Sequence, residues 1–126
     1  MYRVEHRKAF RQGSLVMSYK PKQGDIIILD FDPQAGHEQK GRRPSLVVSN
    51  EQFHKRTNLA MVCPITNSKS GFPMHIALDN RTSTTGEIMC EQAKCFDFKV
   101  RNAKFIEAVP EDIIDEAIDI ICAIVE

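Results

Sequence analysis

Short apolar runs, each cut off by turn-forming residues, fill the sequence from residue 25 to residue 109, and only the C-terminal segment beyond them has the period of a long helix. Runs this short and this rich in β-branched residues are strands. "DIIILDF" (25–31) is nearly continuous, and "SLVVS" (45–49), "LAMVCPIT" (59–66), "MHIAL" (74–78), "EIMCEQAKCF" (87–96) and "KFIEAV" (104–109) come after it. Pro64 withholds a backbone donor inside the third run, which predicts a sheet edge or a bulge there. Asn50 can cap a helical turn over 51–55.

The end of the chain reads "PEDIIDEAIDIICAIVE", with Pro110 at the first helical turn and acids at 111 and 112. Both features suit a helix N-terminus. Ile113, Ile114, Ala117, Ile118, Ile121, Ile124 and Val125 recur at helical spacing, while Asp115, Glu116 and Asp119 fall on the other side. This is an amphipathic helix that packs on a sheet. The expected class is α+β, mainly β: a small β-barrel with a C-terminal amphipathic helix. A chain of 126 residues with 42% apolar content suits one domain. Residues 1–17 are polar, basic and aperiodic, and read as a loosely ordered N-terminal extension, native or appended; the domain then spans 18–126.

The formal net charge of zero conceals segregation. Residues 1–23 carry six cations against one anion, residues 38–104 carry eleven against six, and residues 107–126 carry seven anions and no cation. A basic body with an acidic end is compatible with an anionic partner on one face, though solvated faces would look the same. Cys63, Cys90, Cys95 and Cys122 form no C-x-x-C, and the four histidines are scattered, so neither a zinc site nor a redox motif is expected. Three of the cysteines sit in apolar runs and read as free, buried thiols of a reducing compartment. No apolar run is long enough to span a membrane, and the N-terminus lacks the apolar core of a secretory signal.

The segment "DPQAGHEQKGRRP" (32–44) is a loop long enough to suggest function. It fits no nucleotide-binding glycine fingerprint. Asp30 and Asp32, two apart at a strand end, could share a face, but turn capping before Pro33 explains them as well. Arg43 precedes Pro44, which biases its backbone to an extended conformation. Its side chain then leaves from the root of a strand, as a fixed anion-binding guanidinium requires, although an ordinary surface arginine could stand there too. Thr66 ends a strand inside "PITNSKSG", where hydroxyl and amide donors cluster.

These residues carry a resemblance. "KPKQGDIIILDFDPQAGHEQKGRRPSLVVSN" resembles the opening of the MazF/PemK family of toxin endoribonucleases: Gly24–Asp25, Asp32–Pro33, Gly36, Glu38–Gln39, Gly41 and Arg43–Pro44 match its pattern. "CPITNSKSGFP" (63–73) and "CEQAKCFD" (90–97) are similar to two further blocks of that family, and the similarity runs from about residue 20 to the C-terminus. The resemblance implies an SH3-like barrel of the PemK/CcdB-like kind, homodimeric and cytoplasmic, cutting single-stranded messenger RNA without metal or other cofactor. It implies attack by the 2′-hydroxyl, giving a cyclic phosphate and a 5′-hydroxyl. Arg43 and Thr66 fall on the catalytic positions; His37, Glu38, Gln39, Lys40, Asn67, Ser68, Lys69, Gln92 and Lys94 are further candidates for catalysis or RNA binding. The implied partner is a MazE-like antitoxin with an acidic C-terminal tail. Glu38 or His37 could supply part of the proton traffic. The competing expectations are a non-catalytic CcdB-like toxin that binds gyrase and a small nucleic-acid-binding barrel.

Overall fold

The isoleucine run after Gly24 forms β1 (Asp25–Asp30), which lies inside an antiparallel sheet; the structure is a computed structural model describing residues 19–30 and 42–126. β1 pairs on one side with β2 (Arg42–Val47) and on the other with β7 (Lys104–Ala108). β2 pairs in turn with β3 (Leu59–Thr66). The far edge of β3 carries two partners, β6 (Lys94–Asp97) along residues 59–62 and β5 (Glu87–Met89) along 65–66, and β4 (His75–Ala77) lies beyond β5. Among the described residues two α-helices accompany the sheet, α1 (Glu51–Thr57) between β2 and β3, and α2 (Glu111–Val125) at the end.

Side chains alternate across the strands, so the sheet builds a core on each face. Ile26, Leu46, Cys63, Ile65 and Ile88 pack with Ile113, Ile114 and Ala117 of α2. Ile27, Leu29, Val47, Ala60 and Val62 point the other way and close on Phe98, Phe96 and Tyr19. Each fully buried aliphatic side chain contributes about 1.5–3 kcal/mol. This is the expected mainly-β α+β fold with its C-terminal helix.

Several expectations need correction. Residues 87–96 are not one strand. β5 stops at Met89, a 3-10 turn (Cys90–Gln92) intervenes, and β6 starts at Lys94. The turn is needed because β5 and β6 pair with different stretches of the same strand. Pro64 is neither at an edge nor at a bulge: it falls where β3 changes partner, after the β6 pairing and before the β5 pairing, so its missing donor is not called upon there. β2 begins at Arg42 rather than at 45, so Arg43 and Pro44 belong to the strand. Ile124 and Val125, at 46% and 76% exposure, do not join the core that the rest of the helix's apolar face builds. All four cysteines are free, but only Cys63 and Cys90 are buried. The expected turn at 51–55 extends to Thr57, and Asn50 caps it by accepting from Phe53 N at 3.0 Å. The extension at 1–17 lies outside the described residues, as do Phe31 and Asp32.

His54 is the one fully buried ring of α1. Its Nδ1–H donates to the Pro21 carbonyl at 3.1 Å, and Nε2 accepts from Ser49 Oγ at 2.6 Å; that hydroxyl accepts from Met61 N at 2.8 Å. Every polar atom is used with a neutral imidazole, and burial lowers its pKa. His54 therefore ties the N-terminal segment to α1 and β3.

Candidate active site

Arg43 and Thr66 are set by the β2–β3 ladder. The paired positions are Val47↔Val62, Leu46↔Cys63 and Ser45↔Pro64; the same register carried two residues further sets Arg43 opposite Thr66, on one face of the sheet. The two neighbouring arginines differ in their commitments. Arg42 is ion-paired to Asp30, so Asp30 serves a structural partner. Arg43 is exposed, and among the described residues its guanidinium has no partner. A planar guanidinium without a carboxylate is available for a phosphate.

Thr66 closes β3 and starts the loop 67–73. Its Oγ1 accepts from Ser68 N at 3.2 Å. Among the described residues nothing takes the hydroxyl proton, which leaves it able to donate, since a hydroxyl has one donor and two acceptor sites. Asn67 is pinned by Thr85, whose Oγ1 donates to Asn67 Oδ1 at 2.9 Å. Gly86 makes this junction possible. It sits at φ +121°, and a Cβ there would lie 2.4 Å from the Thr66 carbonyl oxygen. Only glycine permits the hairpin to approach the end of β3 so closely.

A cluster that no spacing rule would find fixes the loop from beneath. His75 Nδ1 lies 3.0 Å from Glu87 Oε1 and Nε2 lies 3.0 Å from Glu91 Oε2. Ionised carboxylates only accept, so both ring nitrogens carry protons and the ring is an imidazolium. Burial alone would lower the pKa of His75, but the bonds to Glu87 and Glu91 outweigh it and the net shift is upward. Glu87 is pulled below the usual carboxylate range, first by His75 and then by the backbone N–H groups of Ser70 and Gly71. Ser70 Oγ stands 3.2 Å from Nδ1, and Phe72 meets the ring edge-on at 5.2 Å. Glu87 pairs directly with Thr66 across the ladder. The cluster thus joins the loop, the strand beside Thr66 and the turn that bears Gln92. The participants lie 12 and 16 residues apart in sequence, which is why sequence reasoning missed them.

The structure brings Arg43, Thr66, Asn67, Ser68 and Lys69 to one end of adjacent strands. Gln92 is not placed at this end: it closes the 3-10 turn between β5 and β6, next to Glu91, which bonds His75. Lys94 does not: it pairs with Val62, four residues down β3 from Thr66, or roughly 13 Å at the rise of a strand. His37, Glu38, Gln39 and Lys40 lie outside the described residues. Among the described residues no group of histidines, cysteines and carboxylates could hold a metal, and no helix is long and apolar enough to cross a membrane.

Comparison with known proteins points to the same chemistry. The family described as PemK-like, MazF-like toxin of type II toxin-antitoxin system matches residues 22–125. Endoribonuclease PemK of Escherichia coli is 36% identical over 119 residues, covering 90% of this chain and 84% of that protein. Endoribonuclease toxin MazF of Escherichia coli strain K12 is 33% identical over 89 residues, covering 71% of this chain and 79% of that protein. Among solved structures, a MazE-MazF crystal structure from Deinococcus radiodurans superposes with a TM-score of 0.78 at 31% identity, covering 86% of this chain and 97% of that one.

Proposed function

Because the chain belongs to the PemK-like, MazF-like toxin family of type II toxin–antitoxin systems, we infer that it is an endoribonuclease that cuts single-stranded RNA at a phosphate held between Arg43 and Thr66. The observation that carries this reading is a guanidinium without a partner among the described residues, in register with a threonine hydroxyl at one end of β2 and β3.

The reaction uses the substrate's own nucleophile. The 2′-oxygen forms a bond to the adjacent phosphorus, the bond to the 5′-oxygen breaks, and a proton passes from the first oxygen to the second. The products are a 2′,3′-cyclic phosphate and a 5′-hydroxyl. Arg43 spans two phosphate oxygens with parallel N–H bonds that strengthen as charge builds, and Thr66 donates one more. Neither role calls for a metal. A gyrase-binding toxin of the same fold would have no use for this pair, and the endoribonuclease names of the relatives favour the nuclease.

Messenger RNA in the cytoplasm is the substrate this reading implies, and a homodimer its working form. A free enzyme of this kind would harm its own cell, so the partner is an antitoxin, as in the MazE-MazF neighbours. The test is a defined single-stranded RNA cut in the presence of EDTA, with both ends identified. Cyclic-phosphate and 5′-hydroxyl ends are expected, and one deoxyribose at the cut position abolishes cleavage. Normal cutting of that substituted RNA would show that water or a protein group is the nucleophile.

A further inference from the structure

Beside Thr66 the sheet continues across β5 to β4, and the hairpin joining them borders an open cleft of about 480 Å³. Its size falls within the range of small-molecule sites, roughly 300–1,000 Å³. Ala77, Leu78 and Gly86 line it with Lys69, Asn80 and Thr85, and the carboxylates of Asp79 and Glu87, already bonded to Arg81 and His75 respectively, complete the lining with Thr82. The cleft is built onto the active-site end of β3: Gly86 abuts the Thr66 carbonyl, Thr85 bonds Asn67, and Lys69 lies three residues beyond Thr66 in the same loop.

Position across the sheet gives the cleft its meaning. Arg43 on β2, Thr66 on β3, Gly86 next to β5 and Ala77 on β4 succeed one another across neighbouring strands. β4 is two strand spacings from Thr66, about 10 Å. An RNA strand crossing the sheet at this end, with one phosphate at Arg43 and Thr66, therefore brings an adjoining nucleotide over the cleft. Asn80 is exposed, and its carboxamide, with two donors and an acceptor, has no partner among the described residues. Its neighbour Asp79 is, by contrast, consumed by Arg81 through contacts of 2.9 to 3.2 Å. Single-stranded RNA is read through bases splayed from the stack and bonded along their edges.

We propose that this cleft is a base-specific subsite for one nucleotide flanking the cut phosphate, with Asn80 reading the base edge and Lys69 meeting the backbone phosphate. Asn80 is then a specificity-determining residue that takes no part in the bond-breaking step. The inference rests on the endoribonuclease reading, and its test separates the two.

The experiment is cleavage of a randomised single-stranded RNA library by the full chain and by Asn80→Ala, Asn80→Asp and Lys69→Ala, with the cut ends sequenced. A parallel arm measures binding of uncleavable RNAs, deoxyribose-substituted at the cut position and varied one base at a time. Asn80→Ala should relax preference at one position within two nucleotides of the cut by about tenfold, the scale of a lost two-bond base contact. Asn80→Asp should favour a different base there, because a carboxylate only accepts. Lys69→Ala should weaken binding for all sequences alike. Unchanged preference at every position for both Asn80 variants, in cleavage and in binding, overturns the subsite. If the full chain binds RNA with this preference but cuts none, the subsite stands and the nuclease reading falls.

Discussion

At the scale of single residues, the site divides its labour between groups that are free and groups that are spoken for. Arg43→Ala should lower cleavage by roughly 100-fold or more, the usual loss when one oxyanion donor is removed. Arg43→Lys should recover only part of it, because an ammonium lacks the planar fork; a fully active lysine variant would mean that a point charge suffices. Thr66→Ala should also slow cutting, while Ser68, which contributes a backbone N–H to Thr66, should tolerate alanine. The imidazoles of His75 and His54 should titrate in opposite directions from the ordinary value of 6.5, His75 above it and His54 below. The signs then differ for stability. The contribution of His75 is complete below pH 6.5 and fades as pH rises through its raised folded pKa. That of His54 is complete above pH 6.5 and fades as pH falls through its lowered one. Ring-proton NMR across this range measures both, and a His75 that titrates at or below 6.5 would exclude the clamped imidazolium.

At the scale of elements, Gly86 holds the most exacting position. Gly86→Ala must move either the hairpin or the end of β3, since the added carbon meets a backbone oxygen at 2.4 Å in a backbone region that disfavours side chains. Reduced thermal stability together with a larger fractional loss of cleavage is expected; an alanine variant with native melting and native activity would show that the junction is slack. Much of this architecture is legible in the sequence because its signals are local. The isoleucine spacing of α2, the Asn50 cap and the β-branched run of β1 each act over a few residues, and each matches the element that forms. Arg43 and Thr66 are legible through a motif, but their alignment depends on the pairing of two strands. The break between β5 and β6 is not legible, because β3 decides it by offering two separate stretches to one apolar run. His75, Glu87 and Glu91 are silent for a similar reason: the fold alone joins a strand, its neighbour and a turn.

At the scale of the whole molecule, the proposed function asks the basic body, eleven cations against six anions over residues 38–104, to serve two anionic partners. An acidic, partly apolar antitoxin tail would mimic phosphates with carboxylates and occupy the channel that holds RNA. A saturating cognate antitoxin peptide should therefore displace a fluorescent, uncleavable RNA from the protein, and its association should slow as salt rises. Undiminished RNA affinity with the peptide bound would point to separate sites. The acids of α2 have a structural setting: Ile113, Ile114 and Ala117 face the core, Asp115, Glu116 and Asp119 are exposed, and Asp112 is tied to Arg81 at 2.9 Å. The forked partnership of β3 reaches beyond any one chain. Arg43 and Thr66, proposed to hold the cut phosphate, stand on strands that contribute to both cores, whereas among the described residues the β4–β5 hairpin pairs with the rest of the sheet through the last two residues of β3 alone. Only the hairpin's tip, residues 79–85, is open to piecemeal change, because Ile76, Ile88 and Gly86 hold its strands in the barrel. With base reading placed at that tip, as proposed, sequence preference can change there while the Arg43–Thr66 pair is inherited unchanged.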